Sequence, residues 1–155
     1  MFDRKELQII TQLRKDARMH ITKMSKNTRI PISTIYDRIK NNKCRLMTRN
    51  VTLVDFTRLG FSCRVSIILR LKKKQKQELR EHLLKSFNVN SLFKINNGYD
   101  YMIDAVFKNV KEVEEFMDDI DEKFSVAELK TYYIIDEIAR EKFLSDLLHI
   151  DLVCS

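Results

Sequence analysis

The sequence predicts an α+β protein in two parts, a basic all-helical N-terminal part followed by a βαββαβ part. Three observations carry this. Charge is uneven along the chain: residues 1–50 hold 13 Lys and Arg against 4 Asp and Glu, whereas residues 51–155 hold 16 against 18. Apolar residues recur at helical spacing up to about Asn42, then change beyond Gly60 to strand-like runs separated by amphipathic helices. With 44% hydrophobic residues, two Gly and one Pro, the 155-residue chain is rich in regular elements and is neither disordered nor fibrous. The expected divisions are 1–50, a linker strand or hinge at 51–60, 61–137, and a tail at 138–155.

Asp3-Arg4-Lys5-Glu6 reads as a capping box, with Asp3 accepting from first-turn amides and Glu6 reaching back. Leu7, Ile10 and Leu13 form the stripe of the helix that follows, flanked by Ile9, and it ends near Lys15. Ile21–Thr28 is a second short helix and Pro31 or Ile32 to about Asn42 a third. The connector is only a few residues long, as a helix-turn-helix requires. Pro31 has no N–H to continue the second helix but fits the start of the third. Spacing puts Ile32, Ile35 and Ile39 inward with Tyr36 beside them. The opposite face carries Ser33, Thr34, Asp37, Lys40 and Asn41, hydroxyl, amide and charged groups able to meet base edges and phosphates. Arg38, Arg14, Arg18, Lys23, Lys43 and Arg45 add cations suited to a phosphate backbone, so double-stranded DNA is the expected partner. Thr48–Asp55, with Val51, Thr52 and Val54, reads as an extended wing or hinge.

Beyond Gly60, Cys63–Leu71 is a strand with an apolar centre. Lys73–Ser86 is a helix with Leu79, Leu83 and Leu84 inward. Asn90–Ile95 and Asp100–Phe107 are strands joined through an Asn96-Asn97-Gly98 turn, where Asn and Gly tolerate positive φ. Val110–Phe124 is an acidic amphipathic helix with Val113, Phe116, Met117 and Ile120 as its stripe, and Val126–Asp136 is the last strand. This order is the ferredoxin-like split βαβ, an antiparallel sheet with both helices on one face. Val65, Ile67, Tyr101, Ile103, Tyr133 and Ile135 are assigned to the uncovered face, for which a second copy of the chain is the simplest partner. Tyr99 and Tyr101, two apart, are expected on one strand face. In the tail, Phe143, Leu147 and Ile150 have helical spacing.

Chemistry-bearing patterns are sparse. Cys44, Cys63 and Cys154 are scattered, with no C-x-x-C, which points to a reducing cytoplasm and to no metal site. No apolar run has the length of a membrane span. His20, His82 and His149 belong to different elements without a ligand-spaced partner. Glu114-Glu115 and Asp118-Asp119 fall on the polar face of a helix and read as solvated charge. No catalytic residue and no cofactor is assigned.

Four segments, DRKELQIITQLRKDARMHITKMSKNTRIPISTIYDRIK, VDFTRLGF, NNGYDYMIDAVF and ELKTYYIIDEIAREKF, resemble in order the leucine-responsive or feast-famine (Lrp/AsnC) transcription regulators, most closely short archaeal members. The resemblance spans about residues 2–144. It implies an N-terminal winged helix-turn-helix, a linker strand and a C-terminal ferredoxin-like effector (RAM) domain. It also implies homodimers that assemble further, to tetramers or octamers, with amino acids or other small effectors bound between dimers. Residues 31–38 match the recognition helix. The effector-loop motif falls on Asn97, Gly98, Tyr99, Asp100 and Tyr101, and the facing strand matches at Thr131, Tyr132 and Tyr133. Arg29 replaces the glycine usual before the recognition helix, His20 the usual Ser or Thr cap, and Asn97 the usual loop glycine.

The resulting expectation is a cytoplasmic, nucleoid-associated, sequence-specific DNA-binding regulator that is not an enzyme. Two alternatives share the fold: an architectural DNA-wrapping protein, and an enzyme like the sirohaem decarboxylases. The second would need basic and histidine residues in the effector-domain cleft, where this sequence offers only His82.

Overall fold

The computed structural model describes residues 3–40, 46–72 and 75–154. These fall into two compact units, Met1–Thr52 together with Ile138–Ser155, and Leu53–Glu137.

The first unit is helical. Helices α1 (Arg4–Lys15), α2 (Ile21–Thr28) and α3 (Ile32–Lys40) enclose Ile9, Met24, Ile30 and Ile35, with Leu13, Met19, Ile21, Ile39 and Met47 against them. Asp3 caps α1 by accepting from the Lys5 N–H at 2.9 Å. The expected capping box is not completed. Glu6 turns inward and accepts from the Leu46 N–H at 3.1 Å, because a nearly buried carboxylate is stabilised by a donor that surface solvent cannot supply. His20 precedes α2 without a side-chain cap bond. Arg29 ends α2 in the left-handed region, φ 58°, and its N–H reaches the Ser25 carbonyl. Ser25 Oγ donates to the Ile30 carbonyl at 2.6 Å and closes the turn. The Pro31 carbonyl accepts the first α3 bond, from the Ile35 N–H.

Helix α1 is buried on more than one side: Glu6, Leu7, Ile9, Ile10, Thr11 and Gln12 are all inside. The tail explains this. A short 3-10 turn (Leu147–His149) leads into α6 (Ile150–Cys154), both packed on α1, with Ile150 2% exposed. The helical spacing read for the tail holds only over its last residues, since Phe143 lies outside the helix and is exposed.

No strand forms over residues 48–55. The stretch is extended as expected, but extended backbone becomes a strand only when a neighbour takes its N–H and C=O groups. Val51, Leu53 and Val54 are exposed there.

In the second unit β1 (Cys63–Leu71), α4 (Lys76–Lys85), β2 (Val89–Lys94), β3 (Tyr101–Phe107), α5 (Val110–Lys123) and β4 (Val126–Tyr133) follow one another. The sheet order is β2-β3-β1-β4, all pairs antiparallel. β1 and β2 flank β3, the split βαβ arrangement. Burial alternates along β1 (Val65, Ile67, Leu69, Leu71) and β3 (Tyr101, Ile103, Ala105, Phe107). These residues meet Leu79 and Leu83 of α4 and Val113 and Ile120 of α5. Each such fully buried aliphatic contributes about 1.5–3 kcal/mol.

Two orientations differ from expectation. Val65, Ile67, Tyr101 and Ile103 lie under the helices, not on the open face. Period-2 alternation defines two sets of residues but not which set the helices cover. Tyr133, opposite Val65, is also on the helix side, partly exposed with its hydroxyl donating to Glu114 of α5, and Ile135 lies past the end of β4. The open face instead carries Arg64, Ser66, Ile68 and Arg70 with their partners Val106, Asp104, Met102, Tyr132, Lys130 and Glu128. Leu84 is 61% exposed, one position past the stripe that Leu79 and Leu83 define.

Candidate nucleic-acid interface and effector loop

The outward stripe of α3 is Ile32, Ser33, Tyr36, Asp37 and Lys40, all exposed, at the i and i+4 spacing that stacks side chains along one helix face. Ile32, expected inward, is 49% exposed, whereas Ile35 is fully buried and Ile39 half-buried. A helix nine residues long presents only about a third of its circumference to a core this small, and Ile35 occupies the centre of that arc. Thr34 is half-buried beside the stripe. The Lys40 ammonium lies 5.0 Å from the Tyr36 ring centroid, a cation–π contact that fixes both side chains.

Arg38 points elsewhere. Its guanidinium meets the Asp3 carboxylate at 2.5 Å, tying α3 to the start of α1. Partial burial works against the Asp3 charge, but hydrogen bonds from Arg38 and the Lys5 N–H outweigh it and hold the carboxyl below its ordinary range. Arg14, a cation expected near phosphates, is taken by the tail. Its Nε donates to the Phe143 carbonyl, and one terminal nitrogen donates to both the carbonyl and the carboxylate of Glu141. Arg4 pairs with Asp151 at 2.7 Å. By contrast Arg18, Lys23, Lys26 and Arg29 are exposed and make no ion pair among the described residues. Lys43 and Arg45 lie outside the described residues.

Around the effector loop, Asn97 and Gly98 both have positive φ, 59° and 85°. Asn holds a left-handed backbone more readily than other side-chain-bearing residues. Tyr99 and Tyr101 part company, because the strand begins only at Tyr101 and alternation does not extend back through the turn. The Tyr101 hydroxyl donates to the Lys76 carbonyl at the start of α4. The Tyr99 hydroxyl donates to Glu128 at 2.8 Å and receives Lys130 Nζ at 2.5 Å, on residues of the open sheet face. Lys130 also pairs with Glu128, so Tyr99 and Glu128 together raise the Lys130 pKa. Asp100 is committed internally. One oxygen accepts from the Leu71 N–H at 2.9 Å, where the β1–β4 register shifts, and the other meets Lys76 Nζ at 2.5 Å. Burial opposes its charge, and these donors outweigh it and lower its pKa. Thr131 Oγ lies 2.8 Å from the Met117 sulfur. The loop residues are thus drawn to two places, Asp100 and Tyr101 to the α4 start and Tyr99 to Lys130 and Glu128.

His82 meets Asp119 at 3.1 Å, joining α4 to α5, and Asp119 also pairs with Lys123. Among the described residues no group of three or more His, Cys, Asp or Glu is placed to hold a metal ion. Arg64 grips Asp104 with two nitrogens, at 2.9 and 3.0 Å, and meets Glu137 at 2.5 Å. Sequence reasoning missed this open-face fork, because its members lie 40 and 73 residues apart.

The second unit is therefore a ferredoxin-like α+β sandwich with one open sheet face, carried on the same chain as a basic helical unit. Residues 63–144 match the family model of the Lrp/AsnC ligand binding domain. The chain belongs to the Lrp/AsnC family. An uncharacterised HTH-type transcriptional regulator of Pyrococcus abyssi is 24% identical over 144 residues, 92% of this chain and 97% of that protein. Among solved structures, Bacillus subtilis LrpC is similar with TM-score 0.77 and 18% identity, over 90% of this chain and 98% of that one. A Neisseria meningitidis transcriptional regulator, solved as its L-Met complex, is similar with TM-score 0.79 and 18% identity, over 90% and 94%. Among the described residues no helix is long and apolar enough to cross a membrane.

Proposed function

We propose that this chain is a DNA-binding transcriptional regulator that reads double-stranded DNA through a helix-turn-helix formed by α2 and α3. The observation that carries the reading is the exposed stripe Ser33, Tyr36, Asp37 and Lys40 in a unit whose Arg18, Lys23, Lys26 and Arg29 are unpaired among the described residues. Short polar groups on a helix meet base edges, and free cations meet phosphates. Thr34 and Arg38 flank the stripe, and Lys43 and Arg45 lengthen the basic run of the sequence. Similarity to proteins named HTH-type transcriptional regulators supports the same reading.

In this reading residues 1–50 bind DNA, 51–60 are the hinge and 61–137 assemble the protein and receive an effector. Homodimers form through the open sheet face, where Ile68, Met102 and Val106 are half-exposed, and pair into tetramers or octamers. The setting is the cytoplasm, at the nucleoid. An amino acid is the effector class suggested by the L-Met complex of the Neisseria protein. It would act at Asn97, Gly98, Tyr99, Asp100 and Thr131 by changing the spacing of the DNA-binding units.

The test is DNA binding over a salt series, comparing the gene's own upstream region with random DNA of equal length. A clear preference for the upstream region supports a sequence-specific regulator. Equal binding supports an architectural DNA-wrapping protein instead. Absence of binding at low salt overturns both.

A further inference from the structure

We infer that α3 reads the 5-methyl groups of thymines through Ile32 and Tyr36, so that thymine-bearing half-sites are selected by apolar contact. The inference rests on the DNA-binding reading above. Ile32 and Tyr36 are 49% and 46% exposed and stand one turn apart on the outward stripe. Ile32 lies in the first turn of α3. That end of the second helix of a helix-turn-helix is the one that contacts base edges.

The alternatives on this stripe are few. Guanine is read best by a free guanidinium or ammonium and adenine by a side-chain amide. The guanidinium of Arg38 is held by Asp3, the Lys40 ammonium lies against the Tyr36 ring, and the described turns Ile32–Lys40 hold no Asn or Gln, Asn41 and Asn42 following outside the described residues. What faces outward in the first two turns is two large apolar groups with Ser33 and Asp37 beside them. A β-branched isoleucine presents its methyls from a stiff χ1, and the Tyr36 ring is steadied by Lys40. Such a surface fits a thymine methyl, the one apolar group on the major-groove edge. Arg18, Lys23, Lys26 and Arg29 make the unit complementary to the duplex as a whole.

The full-length chain should first select its tightest duplexes from a random-sequence pool at about 0.15 M salt. The same duplexes are then made with deoxyuridine in place of thymidine, which removes only the methyl. Wild type should bind the uracil duplexes about fourfold more weakly for each methyl it buries. Ile32→Ser and Tyr36→Ser should bind the thymine duplexes more weakly and discriminate less between thymine and uracil. Both positions are half-exposed, and unchanged circular dichroism verifies their folding. Equal wild-type binding to both duplexes overturns the inference while leaving DNA binding in place. So does a thymine-to-uracil ratio that survives in both variants, since the methyl is then sensed elsewhere. If wild type binds no duplex even at low salt, the DNA-binding reading fails and this inference falls with it.

Discussion

Arg38 of α3 and Asp3 at the start of α1 meet at 2.5 Å, with their side chains 24% and 43% exposed. The pair joins the third helix to the cap of the first, two elements far apart in sequence. It gives Arg38 a part in setting the angle of α3 before any DNA arrives. Arg38→Ala should lower DNA affinity and destabilise the helical unit by about 0.5–1 kcal/mol, the range of a partly exposed pair. Asp3→Asn keeps a cap but releases Arg38. If Arg38 acts by alignment, Asp3→Asn also lowers affinity in fluorescence anisotropy titrations. Unchanged or tighter binding by Asp3→Asn would show that Arg38 touches DNA directly.

The tail has a comparable structural part. Ile150 is 2% exposed, and Arg14 is wrapped by a loop in which Glu141 and Leu144 both take positive φ. Ile150→Ala should cost the helical unit about 2–4 kcal/mol, as a buried truncation that leaves a cavity. Hydrogen exchange would show faster exchange of α1–α3 amides with β1–β4 unchanged. An effect confined to residues 147–154 would mean the tail is only an appendage.

Arg29 sits in the left-handed region, where a side chain costs about 1 kcal/mol. Arg29→Gly should therefore stabilise the chain by about 0.5–1 kcal/mol in urea denaturation. It should also weaken DNA binding and flatten its salt dependence by about one phosphate contact. A stable variant with wild-type affinity would remove Arg29 from the interface.

Asp100 ties the loop before β3 to the end of β1 and the start of α4. Its folded pKa is depressed, so the unfolded chain takes up the proton first as pH falls below about 3.9. The stabilisation is present above that value and is lost as pH falls through the folded pKa. Asp100→Asn should lower stability at neutral pH, and its deficit against wild type should shrink in acid unfolding below about pH 4. Asp100→Ala, which also strips the Leu71 N–H of its acceptor, should cost about 1–3 kcal/mol. A deficit independent of pH would mean that the charge of Asp100 contributes nothing.

Much of this molecule is written in local pattern. Helix and strand types follow from the spacing of Leu7, Ile10 and Leu13, of Val113 and Ile120, and from the alternation along Cys63–Leu71. The split βαβ order follows from their succession, and the outward position of Ser33, Asp37 and Lys40 from helical period. These depend only on neighbours within a few residues, which the sequence displays directly.

What only the tertiary structure decided is the facing and pairing of those elements. Alternation left open which set of strand residues the helices cover, and that choice put Val65 and Ile67 inside and the Arg64–Asp104 fork outside. Spacing could not show that Ile32 turns outward, that Arg38 and Arg14 spend their charge on Asp3 and the tail, or that Tyr99 and Asp100 are bonded within the chain. Each is a contact between residues distant in sequence. Its existence depends on where two elements meet, which no single window of residues contains.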